Sequence, residues 1–209
     1  ESHPAARSLG AISRRDGIAE PMVDAIVATD DEEAVALLLA NESAQIRENT
    51  LDGIIDRALD IGSRGALCGL SRALERVAHL LTWEYGYEKV PKALARKYAY
   101  CEVLGPKGPV MAERLILGVV LFAPNTTYPQ HSHKEIEESY ISLAGAWSEN
   151  DAAVYAPGSL ILNRSEHEHR ITTGQVDPCL LAYAWVGNPD RLAAPGMKLS
   201  YRRAPASRG

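Results

Sequence analysis

The period of the apolar residues changes once along this chain, close to Tyr100, and that change limits the folds open to it. Before it, apolar residues recur at three- and four-residue steps: Ile18, Met22, Ile26 and Val27; then Val35, Leu38 and Leu39; then Ile46, Leu51, Ile54, Ile55 and Leu59; then Leu67, Leu70, Leu74, Val77, Leu80 and Leu81. Such steps place an apolar stripe along one side of an α-helix. Thr29-Asp30-Asp31-Glu32-Glu33 offers a polar cap and first-turn acids to one helix, and Gly62 to Gly65 interrupts two others. Pro91 opens a last helical piece through Tyr98. Beyond Tyr100, the turn cluster Gly105 to Pro109 precedes a β-rich run from Leu115 to Phe122. Strand-length segments follow at about 136–143, 152–156, 159–163, 168–173 and 179–186, parted by Gly, Pro and Asn/Asp turns. Short strands at this spacing predict a sandwich or barrel. Residues 1–100 therefore read as a helical N-terminal extension and 101–209 as a β-barrel, without internal repeat or low-complexity segment.

Bulk properties exclude several roles. A formal net charge of −5 argues against nucleic acid or an anionic membrane as partner. The longest apolar runs, such as Leu115 to Ala123, have strand length, short of the roughly 18 residues of a membrane span. Cys68, Cys101 and Cys179 are odd in number and widely spaced. They read as packed thiols in a reducing, cytoplasmic compartment. The N-terminus carries no apolar signal region, although a start at Glu1 rather than Met leaves a removed signal open.

The chemistry concentrates in Tyr128 to Gly145, YPQHSHKEIEESYISLAG, and in a second H-x-H pair at His167 and His169. In an extended segment alternate side chains share a face, so His131 and His133 can enter one barrel together. The same rule sets Glu138 with Tyr140 and turns Glu137 away, favouring Glu138 as a third ligand if Tyr140 points inward. His167 and His169 have equal parity, so alternation does not choose the fourth. Nitrogen and oxygen donors of this kind suit one divalent ion such as Zn²⁺, Fe²⁺ or Mn²⁺. Glu135 and Glu137 read as solvated charges, His79 as packed within the helical pattern, and His3 as lying in a loose terminus.

The stretch His131-Ser-His133-x4-Glu138-x6-Gly145 resembles the first motif of the cupin superfamily, H-x-H-x(3,4)-E-x6-G. Pro157-Gly158 followed by His169 resembles a degenerate second motif, with a longer Pro-to-His separation and no following Asn. This resemblance implies a mainly β cupin fold, the double-stranded β-helix or jelly roll, preceded by the helical extension. It favours His169 over His167. Glu138-Ser-Tyr140, Tyr128 five residues before His133 and the late Tyr183-Ala-Trp185-Val-Gly187 strand are more narrowly similar to the bacterial cupin-type dimethylsulfoniopropionate (DMSP) lyases, the DddL branch above all.

The family resemblance implies a metal-dependent β-elimination that yields dimethyl sulfide and acrylate. Tyr140 is then the expected base, with Tyr128 the alternative. A nearby cation favours phenolate over phenol, lowering a tyrosine from its usual value of about 10. The sulfonium end asks for aromatic faces, each worth roughly 0.5–2 kcal/mol, and Trp185 and Trp147 are candidates with Tyr128. Two rival expectations stand beside this one: another metal cupin enzyme, such as a sugar isomerase or an Fe-dependent dioxygenase, and a non-enzymatic cupin that senses a small ligand. Many cupins pair through barrel edges, which leaves a homodimer open.

Overall fold

A computed structural model describes residues 51–84, 92–196 and 198–199. The helical expectations before residue 51, and the proposed start at Pro91, lie outside the described residues. The chain runs through α1 (Asp52–Gly62), α2 (Cys68–Val77), a 3₁₀ turn (Ala78–Leu80) and α3 (Lys92–Ala95). It then forms β1 (Tyr98–Gly105), β2 (Val110–Met111), β3 (Leu115–Phe122), β4 (Thr127–Ser132) and β5 (Ile136–Ala144). Next come β6 (Trp147–Glu149), β7 (Ala153–Tyr155), β8 (Leu160–Asn163), β9 (His169–Thr173) and β10 (Cys179–Gly187). A short α4 (Pro189–Ala193) and β11 (Lys198–Leu199) complete the described chain.

Two sheets result. One has six strands in the order β2-β1-β3-β10-β5-β8, the other five in the order β11-β4-β9-β6-β7. Alternation along β10 shows how they are used. Cys179, Leu181, Tyr183 and Trp185 face the second sheet, where they meet Tyr128 and Ile171. Leu180, Ala182 and Ala184 face the other way, against Leu59, Leu67, Leu70, Leu74 and Leu81 of the helical region. The six-stranded sheet is thus covered on both sides, and so its central strands read as nearly unbroken apolar runs. Burying each of Leu59, Leu67 and Leu81, all 3% exposed or less, contributes about 1.5–3 kcal/mol. α1 and α2 cover a sheet face.

Two glycines allow close approach. Gly145, at φ +75°, would carry a Cβ only 2.3 Å from the carbonyl oxygen of Pro178. Gly118 lies opposite Tyr183 across β3 and β10. A Cβ there would meet the Tyr183 ring at 2.5 Å, so the absent side chain makes room for that ring.

The structure departs from the sequence reading in four places. The last helical piece stops at Ala95, and from Tyr98 the chain is β1, paired with β3 from Tyr98 opposite Phe122. The Tyr-Ala-Tyr-Cys run suits a pleated, two-sided surface better than a helix. α2 ends at Val77, and the 3₁₀ turn that follows leaves His79 exposed rather than packed. Trp147, a candidate aromatic face for the sulfonium end, opens β6 and is 1% exposed, closed off from any ligand. Cys101 and Cys179 are buried free thiols as expected, whereas Cys68, at the start of α2, is only half-buried.

Candidate metal centre

β4 and β9 lie side by side in the five-stranded sheet, with His131 directly opposite His169. β5 belongs to the facing sheet and contributes Glu138, while His133 follows the end of β4. One donor atom from each of His131, His133, Glu138 and His169 lies within 4.8 Å of the others. All four side chains are 3% exposed or less. Glu138 Oε2 is 3.0 Å from His169 Nε2 and 3.4 Å from His133 Nε2. Donors about 2.0–2.1 Å from a common ion would stand roughly 3.3 Å apart in a tetrahedron, close to these separations.

Hydrogen bonding is consistent with a cation there. Carbonyl oxygens only accept, so His131 Nδ1 donates to Pro129 O at 2.9 Å and His169 Nδ1 to His167 O at 3.1 Å. Each neutral ring then turns its Nε2 lone pair towards the cluster, an arrangement usual for metal-binding histidines. Yet His133 Nε2, His169 Nε2 and Glu138 Oε2 are buried without any hydrogen bond of proper geometry among the described residues. Orphaned polar atoms this deep are costly, and a metal ion at their centre would satisfy them together.

Electrostatics tie the four into one unit. Burial alone would push the Glu138 carboxyl up, but the His133 and His169 imidazoles outweigh it and hold it well below the usual carboxylate range. His169 is shifted the opposite way: burial lowers it, and the Glu138 carboxylate more than compensates, so its net shift is upward. His131 is held down to about 3, by burial first and then by the charge of His169.

A cleft of about 390 Å³ opens onto this cluster. His131, His133, Glu138 and Tyr140 form its polar side, and Tyr98, Tyr100, Phe122, Tyr128, Tyr183 and Trp185 its aromatic side. Tyr140 shares the inner face of β5 with Glu138, as two-residue alternation requires, and its ring centroid lies 6.3 Å from that of His169. Glu137 points out, and exposed Glu135 pairs with Arg191. Tyr128 has the wrong parity to share a face with His131 in a regular strand. The register shifts by one between them, at Pro129 and Gln130, and this bulge brings their rings to 4.8 Å. The Tyr128 hydroxyl lies 3.3 Å from that of Tyr98.

The remaining candidates separate clearly. His167 stays outside the cluster: it is exposed, and its Nδ1 donates to Asn163 Oδ1 at 3.2 Å. Asn163 in turn donates to Glu149 Oε1 at 2.8 Å. Trp147 does not line the cleft. It sits behind Tyr140, ring centroids 5.8 Å apart, and donates to Ser142 Oγ at 3.2 Å, so it packs the core rather than offering a face to a ligand. Trp185 does line the cleft, but its indole N–H donates to Glu138 Oε1 at 2.6 Å. Sequence reasoning missed Tyr98, Tyr100 and Phe122 as lining residues, the first two because their segment read as helical up to Tyr98. The Tyr98-x-Tyr100 alternation was the available signal.

Two facing, mostly antiparallel sheets with a histidine–glutamate cluster between them form a cupin jelly roll able to hold a metal. Comparison narrows the class. The family model for dimethylsulfoniopropionate lyases matches residues 34–181, and the chain belongs to that family. Over 149 residues it is 78% identical to DddL of Cereibacter sphaeroides, whose own assignment as a DMSP lyase is provisional. That match covers 71% of this chain and 64% of the relative, so the chain spans less than two thirds of the relative's length. Among solved structures, DMSP lyase DddQ from Ruegeria pomeroyi is similar at TM-score 0.60 and 18% identity, covering 97% of this chain and 99% of that one. A chain from the crystal structures of the DMSP lyases RdDddP and RnDddQII is similar at TM-score 0.60 and 20% identity, covering 82% and 100%. At these identities the structural likeness speaks for the fold. Among the described residues no helix is long and apolar enough to cross a membrane.

Proposed function

We propose that this protein is a carbon–sulfur lyase that cleaves dimethylsulfoniopropionate to dimethyl sulfide and acrylate, with one divalent metal held by His131, His133, Glu138 and His169. The observation that carries the reading is the buried four-donor cluster with its unsatisfied atoms, facing an aromatic cleft in a chain of the DMSP lyase family. When bound, the ion would act as a Lewis acid towards the substrate carboxylate and favour the ionised form of a nearby phenol. The donor set suits Zn, Fe or Mn alike.

The chain's own residues account for the rest. Tyr140, on the same strand face as Glu138, is the base: it takes the proton from the carbon α to the carboxylate. The electrons of that C–H bond form the new double bond, and those of the β-carbon–sulfur bond leave with sulfur. Dimethyl sulfide departs neutral and needs no acid. Tyr98, Tyr100, Tyr128 and Tyr183 present ring surface to the sulfonium end, each good contact contributing about 0.5–2 kcal/mol. Tyr128, paired with the Tyr98 hydroxyl, is the second candidate base.

Headspace gas chromatography tests this directly. Metal-loaded protein and Tyr140→Phe are incubated without oxygen with DMSP. Release by the wild type and its loss in the variant is the expected result. Release by both would retain the reaction and move the base, with Tyr128→Phe next. No release from protein that contains metal would refute the substrate assignment.

A further inference from the structure

Three of the four donors have an identifiable device that aims them, and Trp185 supplies one of these and the main ring contact of the fourth donor. His131 and His169 are oriented by the carbonyl oxygens of Pro129 and His167. Glu138 has no such backbone partner. Its Oε1 instead accepts the indole N–H of Trp185 at 2.6 Å, short even for a charge-assisted bond. Glu138 and Trp185 are direct partners in the antiparallel pairing of β5 and β10, so the contact is built into the strand register. Among the described residues, none hydrogen-bonds either ring nitrogen of His133. Its ring centroid lies 4.5 Å from that of Trp185 at an interplanar angle of 50°.

We infer that Trp185 is a positioning residue of the metal centre, which fixes Glu138 through its N–H and His133 through its ring face, rather than a subsite for the sulfonium group. The bond to Oε1 occupies that oxygen and leaves Oε2, the atom nearest His133 and His169, to face the centre. A glutamate held this way presents one oxygen. The inference rests on the metal reading above and adds to it a residue that touches no substrate.

Zinc affinity, measured by competition with a chromogenic chelator, tests it without reference to activity. Two variants are compared with the wild type. Trp185→Phe keeps an aromatic ring and removes the donor, and site-specific benzothienylalanine at position 185 keeps the ring shape and replaces only N–H by sulfur. Loss of an outer partner of this kind lowers metal affinity about 10–100-fold. The same loss is expected in both variants, and the absorption spectrum of the cobalt-substituted protein should change as the glutamate is freed. At saturating metal the KM for DMSP should hold while kcat falls. Unchanged zinc affinity in both variants would overturn the inference, as would a raised KM with affinity and kcat intact, the signature of a sulfonium subsite. If Trp185→Phe fails to fold, the isosteric variant decides. A wild type that binds no zinc, iron or manganese would overturn the metal reading itself, and the role of Trp185 with it, so the two failures are told apart.

Discussion

Replacing Glu138 by Gln changes one atom of the cluster and should weaken metal binding about a hundred- to a thousandfold while leaving the fold intact. The carboxylate has two oxygens with separate tasks: Oε1 accepts from Trp185 at 2.6 Å, and Oε2 stands 3.0 and 3.4 Å from the Nε2 atoms of His169 and His133. A glutamine amide has one oxygen. If it stays with Trp185, the NH₂ group turns to the centre and offers hydrogens where a ligand lone pair is needed. If the amide flips, the NH₂ meets the indole N–H and the Trp185 bond is lost. Apparent zinc-binding free energies of four-ligand protein sites run about 10–16 kcal/mol, or roughly 2.5–4 kcal/mol per ligand. Losing one ligand therefore raises Kd about 10²–10³-fold, at about 1.4 kcal/mol per decade. Chelator competition reads the change, and thermal unfolding of the metal-free forms checks that the variant folds. A Kd for Glu138→Gln equal to that of the wild type would refute the claim that Oε2 is a ligand.

Other consequences follow from burial and backbone geometry. Gly145→Ala places a Cβ 2.3 Å from Pro178 O at a positive φ, and should destabilise the protein by more than about 3 kcal/mol in urea unfolding; a loss below about 1 kcal/mol would show that the β5 turn yields freely. Burial pushes the Cys101 and Cys179 thiols up, so in the native protein a thiol reagent should label Cys68 first, and the other two only on unfolding, as mass spectrometry can count. Metal-free protein should be most stable near pH 6.5. His169, raised above 6.5 by the Glu138 carboxylate once burial is offset, contributes stability present below that pH and lost as pH rises through its folded value. His131, held down to about 3 by burial, stays neutral while the unfolded chain takes up its proton, so stability falls as pH drops from 6.5 towards 3. Melting temperatures across pH in the presence of a chelator check both limbs, and a monotonic rise towards acid would contradict the second.

Much of this centre was readable because two-residue alternation and motif spacing act on the same segment. His131, His133 and Glu138 follow from spacing, and Glu138 with Tyr140 from parity, all on or beside β4 and β5. Four things were hidden. Parity could not separate His167 from His169, since the choice depends on where β9 begins, and it begins at His169. Nor could parity place Tyr128, because a bulge around Pro129 reverses the face; a proline inside a strand was the one hint of it. For Trp185 the sequence offered an aromatic ring, and only the register of β10 on β5 shows whose oxygen its N–H meets. The strand beginning at Tyr98 was masked by a neighbouring helical pattern and declared itself through its pairing with β3.

The most direct test is a metal titration of chelator-stripped protein, with dimethyl sulfide release from DMSP followed at each step. Activity should be absent in the stripped protein and rise linearly with added zinc, iron or manganese. It should level off at one ion per chain, and fail to return in His169→Ala. Full activity without metal, or a rise unaffected by loss of His169, would contradict the account at its centre.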